Sequence, residues 1–228
     1  MTEKKFTDLD AVTTVGSSDV LAVVASSASK KVTKANFLSD YIPTSSGIKL
    51  LGTTTITSAV DSVTITSFDS SSYESYLLTI RNLQIATDDN DVYLRFGTSG
   101  GIDSGSDYKW AQFYQYGYST TSNATAQVDD GDDTEIQLSV GGSHTMGTGT
   151  GEEMNMNIWI TGCHSDSSYT LCKMDGWWVS KHPTWGSSDG IGVYDNNGTT
   201  DTDVDRLEVY VGTGVNMDNG IFKFFGVS

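Results

Sequence analysis

The chain is poor in the residues from which most recognisable sites are built: 228 residues hold two cysteines, two prolines, three histidines and thirteen Lys and Arg. Two cysteines do not make a disulfide framework. Cys163 and Cys172 flank Ser165-Asp166-Ser167-Ser168 and could face one another across a hairpin, although a slip of one residue would turn them to opposite faces. Two small buried thiols are the default. His144, His164 and His182 do not fall at ligand spacing, and Cys163 and His164, as neighbours on a strand, point apart, so no zinc site is expected. No apolar run is long enough to span a bilayer. The polar start MTEKK is followed only by the short stretch Val20-Leu21-Ala22-Val23-Val24, which lacks the form of a signal peptide, so synthesis in the cytoplasm and no membrane insertion are expected.

Catalytic signatures are equally scarce. There is no G-x-S-x-G, no P-loop and no glycine-rich dinucleotide fingerprint. Glu152 and Glu153 are adjacent, and neighbours on a strand diverge instead of flanking one glycosidic bond. No catalytic residue, cofactor or enzymatic activity is expected. Positive charge is short as well: the formal net charge is −16. Residues 1–49 carry six lysines against five carboxylates, whereas residues 50–228 carry seven cations against 24 carboxylates. So acidic a body repels nucleic acid and anionic membrane, which are therefore not expected as partners.

What is present is β-forming material. Hydrophobic residues make up 37% of the chain and aromatics 11%, enough for a packed core and against global disorder. The first forty residues contain an extended stretch at Val20–Val24, a polar turn at Ser26–Ser29, a short pairing segment at Lys30–Val32 and a helical pattern over Lys34–Tyr41 that Pro43 terminates. A module of this size cannot bury enough surface to stand alone, so it must dock on something. After Pro43–Gly47, alternating segments recur: Thr53–Thr57, Val63–Thr66, Tyr76 to Arg81, Val92–Phe96, Trp110–Tyr118, Ile136–Val140, Met154–Ile160, Leu171–Val179, Asp205–Val211 and Ile221–Val227. Asp129–Asp133 and Asn196-Asn197-Gly198 have turn composition. No repeat of fixed period occurs. The expected architecture is mainly β: a small anchoring module over residues 1–46, then an antiparallel β-sandwich or jelly-roll domain over residues 47–228.

Asp88-Asp89-Asn90-Asp91, Asp129-Asp130-Gly131-Asp132-Asp133 and Asp195-Asn196-Asn197 raise the question of calcium. None has the spacing of an EF-hand loop, and hairpin turns demand the same residues, so solvated turns are favoured and no metal ligand is assigned. The aromatic residues Trp110, Tyr114, Tyr116, Tyr118, Trp177, Trp178 and Trp185 either fill a core or subunit interface, or stack on sugar rings. Trp185, in HPTWGSSDG, has a loop composition and is the first candidate for receptor or glycan contact, with Tyr116 and Tyr118 beside it.

The segment FTDLDAVTTVGSSDVLAVVASSASKKVTKANFL carries Asp19, Leu21, Val23 and Val24, then Lys30-Lys31-Val32-Thr33 and Ala35–Leu38. It resembles the short N-terminal module of bacteriophage fibre and virion structural proteins. FDSSSYESYLLTIRNLQIATDDNDVYLRFGTSGG, with its S-x-Y-x-x-Y, N-x-x-x-A-T-D and F-x-x-x-G-G patterns, resembles the opening of a β domain found in phage tail-fibre-like proteins. The close NGIFKFFGVS is similar to their final strand, with Phe224-Phe225-Gly226 in place of Leu-Tyr-Gly. The stretch from about residue 119 to 200 carries no matching motif. The resemblance implies a tail-fibre protein of a virion, made in the host bacterial cytoplasm and docked on tail, portal or capsid proteins through Leu21, Val23, Lys30, Lys31, Phe37 and Leu38. It further implies a homotrimer and an outward β domain that could touch a host-surface glycan. A capsid head fibre or decoration protein is the alternative, and a free carbohydrate-binding lectin a more distant one.

Overall fold

The computed structural model describes residues 20–25, 28–33, 47–118, 122–139, 145–165, 167–180, 185–195, 203–212 and 214–228. The chain divides into two compact units, Met1–Ser46 and Gly47–Ser228. In the first, β1 (Val20–Ala25) pairs antiparallel with β2 (Ala28–Thr33), setting Leu21 opposite Val32, Ala22 opposite Lys31 and Val23 opposite Lys30. Val20, Val23 and Val24 favour the extended backbone this requires. The helix expected over Lys34–Tyr41 lies outside the described residues, and Phe37 and Leu38 with it.

The second unit is mainly β, with two antiparallel sheets that form a β-sandwich, as the many short alternating segments require, and no described residue is helical. The smaller sheet runs β10 (Ile136–Gln137), β6 (Val92–Thr98), β14 (Arg206–Val211), β4 (Ser62–Ile65), with β7 (Gly101–Ile102) turned back onto β6. The larger runs β3 (Ile48–Ile56), β15 (Met217–Val227), β5 (Ser75–Ile85), β11 (Met154–Thr161), β12 (Thr170–Val179), β13 (Trp185–Tyr194), β8 (Tyr108–Tyr118), β9 (Ser122–Asp133).

Alternation decides which side chains meet between the sheets. Val63, Ile65, Val92, Leu94, Phe96, Leu207 and Val209 from the smaller sheet join Leu78, Ile80, Ile158, Ile160, Met174, Phe222 and Phe224 from the larger in one buried cluster. Each such side chain contributes about 1.5–3 kcal/mol by leaving water. One strand changes parity part-way: β5 buries Tyr76, Leu78 and Ile80, then Leu83 and Ile85. Asn82, with φ 53°, is the extra residue of a bulge, and its N–H donates to Asn155 Oδ1 at 3.1 Å.

Tyr108 ties β6 to the residue that follows β7. Fully buried, its hydroxyl accepts from Phe96 N–H at 3.0 Å and is placed to donate to the carbonyls of Asp103 at 2.9 Å and Phe96 at 3.1 Å. Burial pushes its ionisation well above the ordinary tyrosine range. Tyr108→Phe is expected to cost about 1–3 kcal/mol, because it leaves a buried backbone group without its partner; urea titration would show a lower midpoint at unchanged slope.

Two expectations need correction. Asp129–Asp133 does not form a turn but the end of β9, the edge strand, paired with β8 through Ala111 and Asp129, Trp110 and Asp130, and Tyr108 and Asp133. Trp110 Nε1–H donates to Asp133 Oδ2 at 3.0 Å. Pairing along a long aromatic neighbour outweighs local turn propensity here, and a charged outer edge is where carboxylates are best tolerated in a sheet. Trp185, in turn, does not sit in a loop but opens β13. That strand reverses the usual pattern: Gly186, Ser188, Gly190 and Gly192 face inward with Tyr194, while Trp185, Asp189 and Ile191 face out. Large neighbours fill the space over the small residues. A Cβ on Gly192 would lie 2.6 Å from Ile136 Cδ1 and 2.8 Å from Cys172 Sγ, and one on Gly186 would lie 2.9 Å from the Trp178 ring.

Candidate functional site

The outward face of the larger sheet is the most distinctive surface of the second unit. Nine large hydrophobic side chains are exposed among the described residues, and eight of them, all but Tyr169, lie on this face: Ile48, Leu50, Phe113, Trp159, Leu171, Trp177, Trp185 and Ile191. The registers place them in rows. One row crosses the sheet as Leu50, Phe225, Leu77, Trp159, Lys173, Ile191 and Ala111, each the direct partner of the next. The row beside it runs Ile48, Val227, Ser75, Thr161, Leu171, Val193 and Lys109. Direct partners on one face lie about 4.5–5.5 Å apart, so the apolar groups form a stripe across the sheet, interrupted by Lys173 between Trp159 and Ile191 and bridged there by Leu171 in the next row. Contiguous apolar surface of this kind marks interaction sites.

Beyond the stripe the face turns polar, with Lys223, Thr79, Asn157, Asp175 and Asp189 in register before Phe113. Lys173 Nζ lies 3.2 Å from Asp189 Oδ2, an exposed pair worth little on its own. Arg81 is anchored by donation to the carbonyls of Ile80 at 2.7 Å and Met156 at 2.8 Å, and to Asn157 Oδ1 at 2.5 Å. Trp177 and Trp185 close the far end as diagonal neighbours, since Trp177 pairs with Ser187 and Trp185 with Val179. Trp185 is 59% exposed, yet its indole lies across Gly117, where a Cβ would come within 2.6 Å of the ring. It is a fixed aromatic platform.

Two of the three contact candidates, Trp185 and Tyr116, can be placed in the sheet. Tyr116 is the partner of Gly186, and both belong to the inward parity, whereas Trp185 faces out opposite Gly117. Tyr116 instead stacks on Tyr114, with ring centroids 5.7 Å apart. Tyr118 is the last residue of β8, and its side chain lies outside the described residues. Of the docking candidates, Val23 and Lys30 are cross-strand partners, while Leu21 and Lys31 pair with Val32 and Ala22. Sequence reasoning missed Trp159, Phe113 and Ile191 as surface residues. The tandem Trp177-Trp178 does announce one tryptophan per face, but not which.

A second feature lies at the end of the same sheet. Ser70, Tyr73, Glu74, Ser75, Thr161, His164 and Ser165 line a cleft of about 550 Å³. His164 is held at both ring nitrogens, Nε2 by the Tyr76 hydroxyl at 2.9 Å and Nδ1 by Asp203 Oδ1 at 2.6 Å. A carboxylate only accepts, so Nδ1–H donates to Asp203; in the tautomer that leaves Nε2 as acceptor, the Tyr76 hydroxyl, which accepts from Asp69 N–H at 3.0 Å, donates to it. Burial pushes Tyr76 up to about 12, and its ring stacks on Phe224 at 5.1 Å. With Val204 N–H donating to Cys163 O at 2.8 Å, the chain of bonds ties the segment before β14 to the turn after β11. Cys163 and Cys172 are free and buried, and burial pushes both thiols up to about 12.

The acidic turn Asp88–Asp91 is a knot of hydrogen bonds. Asp88 Oδ1 accepts from Thr148 N–H at 2.8 Å, Asp89 Oδ1 from Thr145 Oγ1 at 3.0 Å and Asp91 Oδ1 from Ser139 Oγ at 2.9 Å. Among the described residues no group of three His, Cys, Asp or Glu could hold a metal ion. Neither a protein-family model, nor a curated protein, nor a solved structure matches the chain.

Proposed function

We propose that the protein is a structural, interaction-class component of a bacteriophage particle, a fibre-type protein whose N-terminal unit docks on the virion and whose β-sandwich is displayed outward. The observation that carries this reading is the hairpin of β1 and β2. It pairs the two halves of the N-terminal pattern, Leu21-Ala22-Val23 against Lys30-Lys31-Val32, on which the resemblance to fibre modules rests. Two strands of six residues each are too small a sheet to be stable without a third layer or a partner, so a unit built on them needs a surface to dock on. The tail, portal or capsid of the particle would supply that surface. The fixed platform of Trp185 beside Trp177 suits stacking on the apolar face of a sugar ring, which supports contact with a host-surface glycan.

The test is incorporation. A phage carrying the chain without residues 1–46 is expected to produce a soluble, folded β protein that is missing from purified particles. Normal amounts of the truncated protein on particles would overturn the docking assignment.

A further inference from the structure

We infer that the part of the larger sheet's outward face spanned by three rows is buried against a second copy of this chain. The rows run from that of Ile48 and Lys109, through the stripe of Trp159 and Ile191, to that of Lys223 and Phe113, with Trp177 and Trp185 beyond the edge. The inference does not depend on the proposed virion role. Three observations select the occupant.

The first is charge. On the seven strands from β3 to β8 the outward positions carry Arg81, Lys109, Lys173 and Lys223 against Asp175 and Asp189, with three more carboxylates at the margins: Asp195 paired with Lys109, exposed Asp218 in the β15 bulge and Asp129 opposite Ala111. Residues 50–228 as a whole hold seven cations against 24 carboxylates. Two copies therefore repel one another less across this face than over the acidic body as a whole. The outward face of the smaller sheet also carries cations, Arg95 and Arg206, but has no exposed large hydrophobic side chain among the described residues. There Tyr93 and Tyr210 pack at 5.3 Å, and Arg95 lies 4.5 Å over the Tyr210 ring and 2.7 Å from Glu135 Oε2.

The second is extent. Seven strands about 4.8 Å apart and three side-chain rows about 7 Å apart cover roughly 600 Å², most of the about 800 Å² per partner that a standard stable interface buries. The composition has the anatomy of such an interface, with apolar rows flanked by Lys223, Asn157, Asp175 and Asp189. The third is shape. A broad twisted sheet is matched best by another sheet of the same twist, packed aligned at about −30°, and a copy of the chain supplies one.

The experiment uses the full-length chain. Sedimentation velocity across a dilution series is expected to show reversible self-association. Ile191→Glu and Leu171→Glu alter side chains that are exposed in the single chain and should leave the circular dichroism spectrum unchanged, while weakening association about 30-fold or more. Thr64→Glu, outward on the smaller sheet, should have no effect on association. As a second readout that needs no loss of folding, Ile191→Cys with a short bis-maleimide should join chains in pairs, since both native thiols are buried. A wild-type chain that stays monomeric overturns the inference and leaves the face to a different partner. So does an oligomer unaffected by both glutamates, which would place the contact elsewhere, or an oligomer in which the introduced thiol fails to cross-link.

Discussion

Trp178→Ala is expected to lower stability by about 3–5 kcal/mol, the range for deleting a large aromatic from a packed core. Trp178 is fully buried on β12, and its ring lies over the backbone of Gly186 on the neighbouring strand. Nothing near Gly186 has the volume to replace the lost indole, because the inward side of β13 is made of Gly186, Ser188, Gly190 and Gly192. The cavity would therefore persist instead of collapsing, which puts the cost toward the upper end of that range. Chemical denaturation of wild type and variant, each checked for a single cooperative transition, measures the difference. A cost below about 1 kcal/mol would mean that the ring does not occupy this position. Trp177→Ala, at the adjacent but outward position, is expected to change stability by less than about 0.5 kcal/mol.

The opposite change, adding bulk, should be almost as damaging further along the neighbouring strand. Gly192→Val is expected to cost about 3 kcal/mol or more, at the top of the range for overpacking. Its Cβ would start 2.6 Å from Ile136 Cδ1 and 2.8 Å from Cys172 Sγ, well inside contact distance, before the two methyl groups are counted. Ile136 belongs to the smaller sheet and Cys172 to the larger, so relief requires the two sheets to separate locally. Compensation should be visible: Ile136→Val in a Gly192→Ala background should recover part of the loss, a non-additivity measured by a double-mutant cycle. Strictly additive costs would mean that the two side chains do not compete for the same space.

These two positions also show why part of the fold is legible in the sequence and part is not. Strands β5, β6, β11, β14 and β15 bury every second residue over most of their length, chiefly as Leu, Ile, Val, Phe or Met, so alternation alone locates them. In β13 the buried positions are mostly glycine and serine and the exposed ones include Trp185 and Ile191, so the same rule has nothing to detect. Its inward face becomes intelligible only from the bulk of Trp178, Met174 and Gln112 on neighbouring strands and of Ile136 on the facing sheet. For β9, the run Asp129–Asp133 carries the chemistry of a turn, and only its place at a sheet edge explains its pairing. The parity switch at Asn82 is a bulge that a polar residue in a strand does not by itself announce.

The candidate site was less legible for a related reason. Periodicity distinguishes two faces of a strand, but which face is covered depends on what lies above it. Tyr114 and Tyr116 share a parity with Tyr108 and Trp110, and that parity is the inward one. Trp159 and Ile191 sit among residues of mixed polarity, and only the registers of six consecutive strand pairs bring them into one stripe with Leu50, Phe225 and Leu77.

The lane of small residues along β13 has a consequence for how such a chain can vary. Positions 186, 190 and 192 have no freedom to gain even a methyl group without moving a neighbour, whereas 187, 189 and 191 point away from the core and answer only to what covers that face. Descendants of this chain should therefore keep a monotonous inner edge, while the outer one changes only in step with its partner surface. Whatever recognises the exposed side can be exchanged by mutation without disturbing the scaffold beneath it.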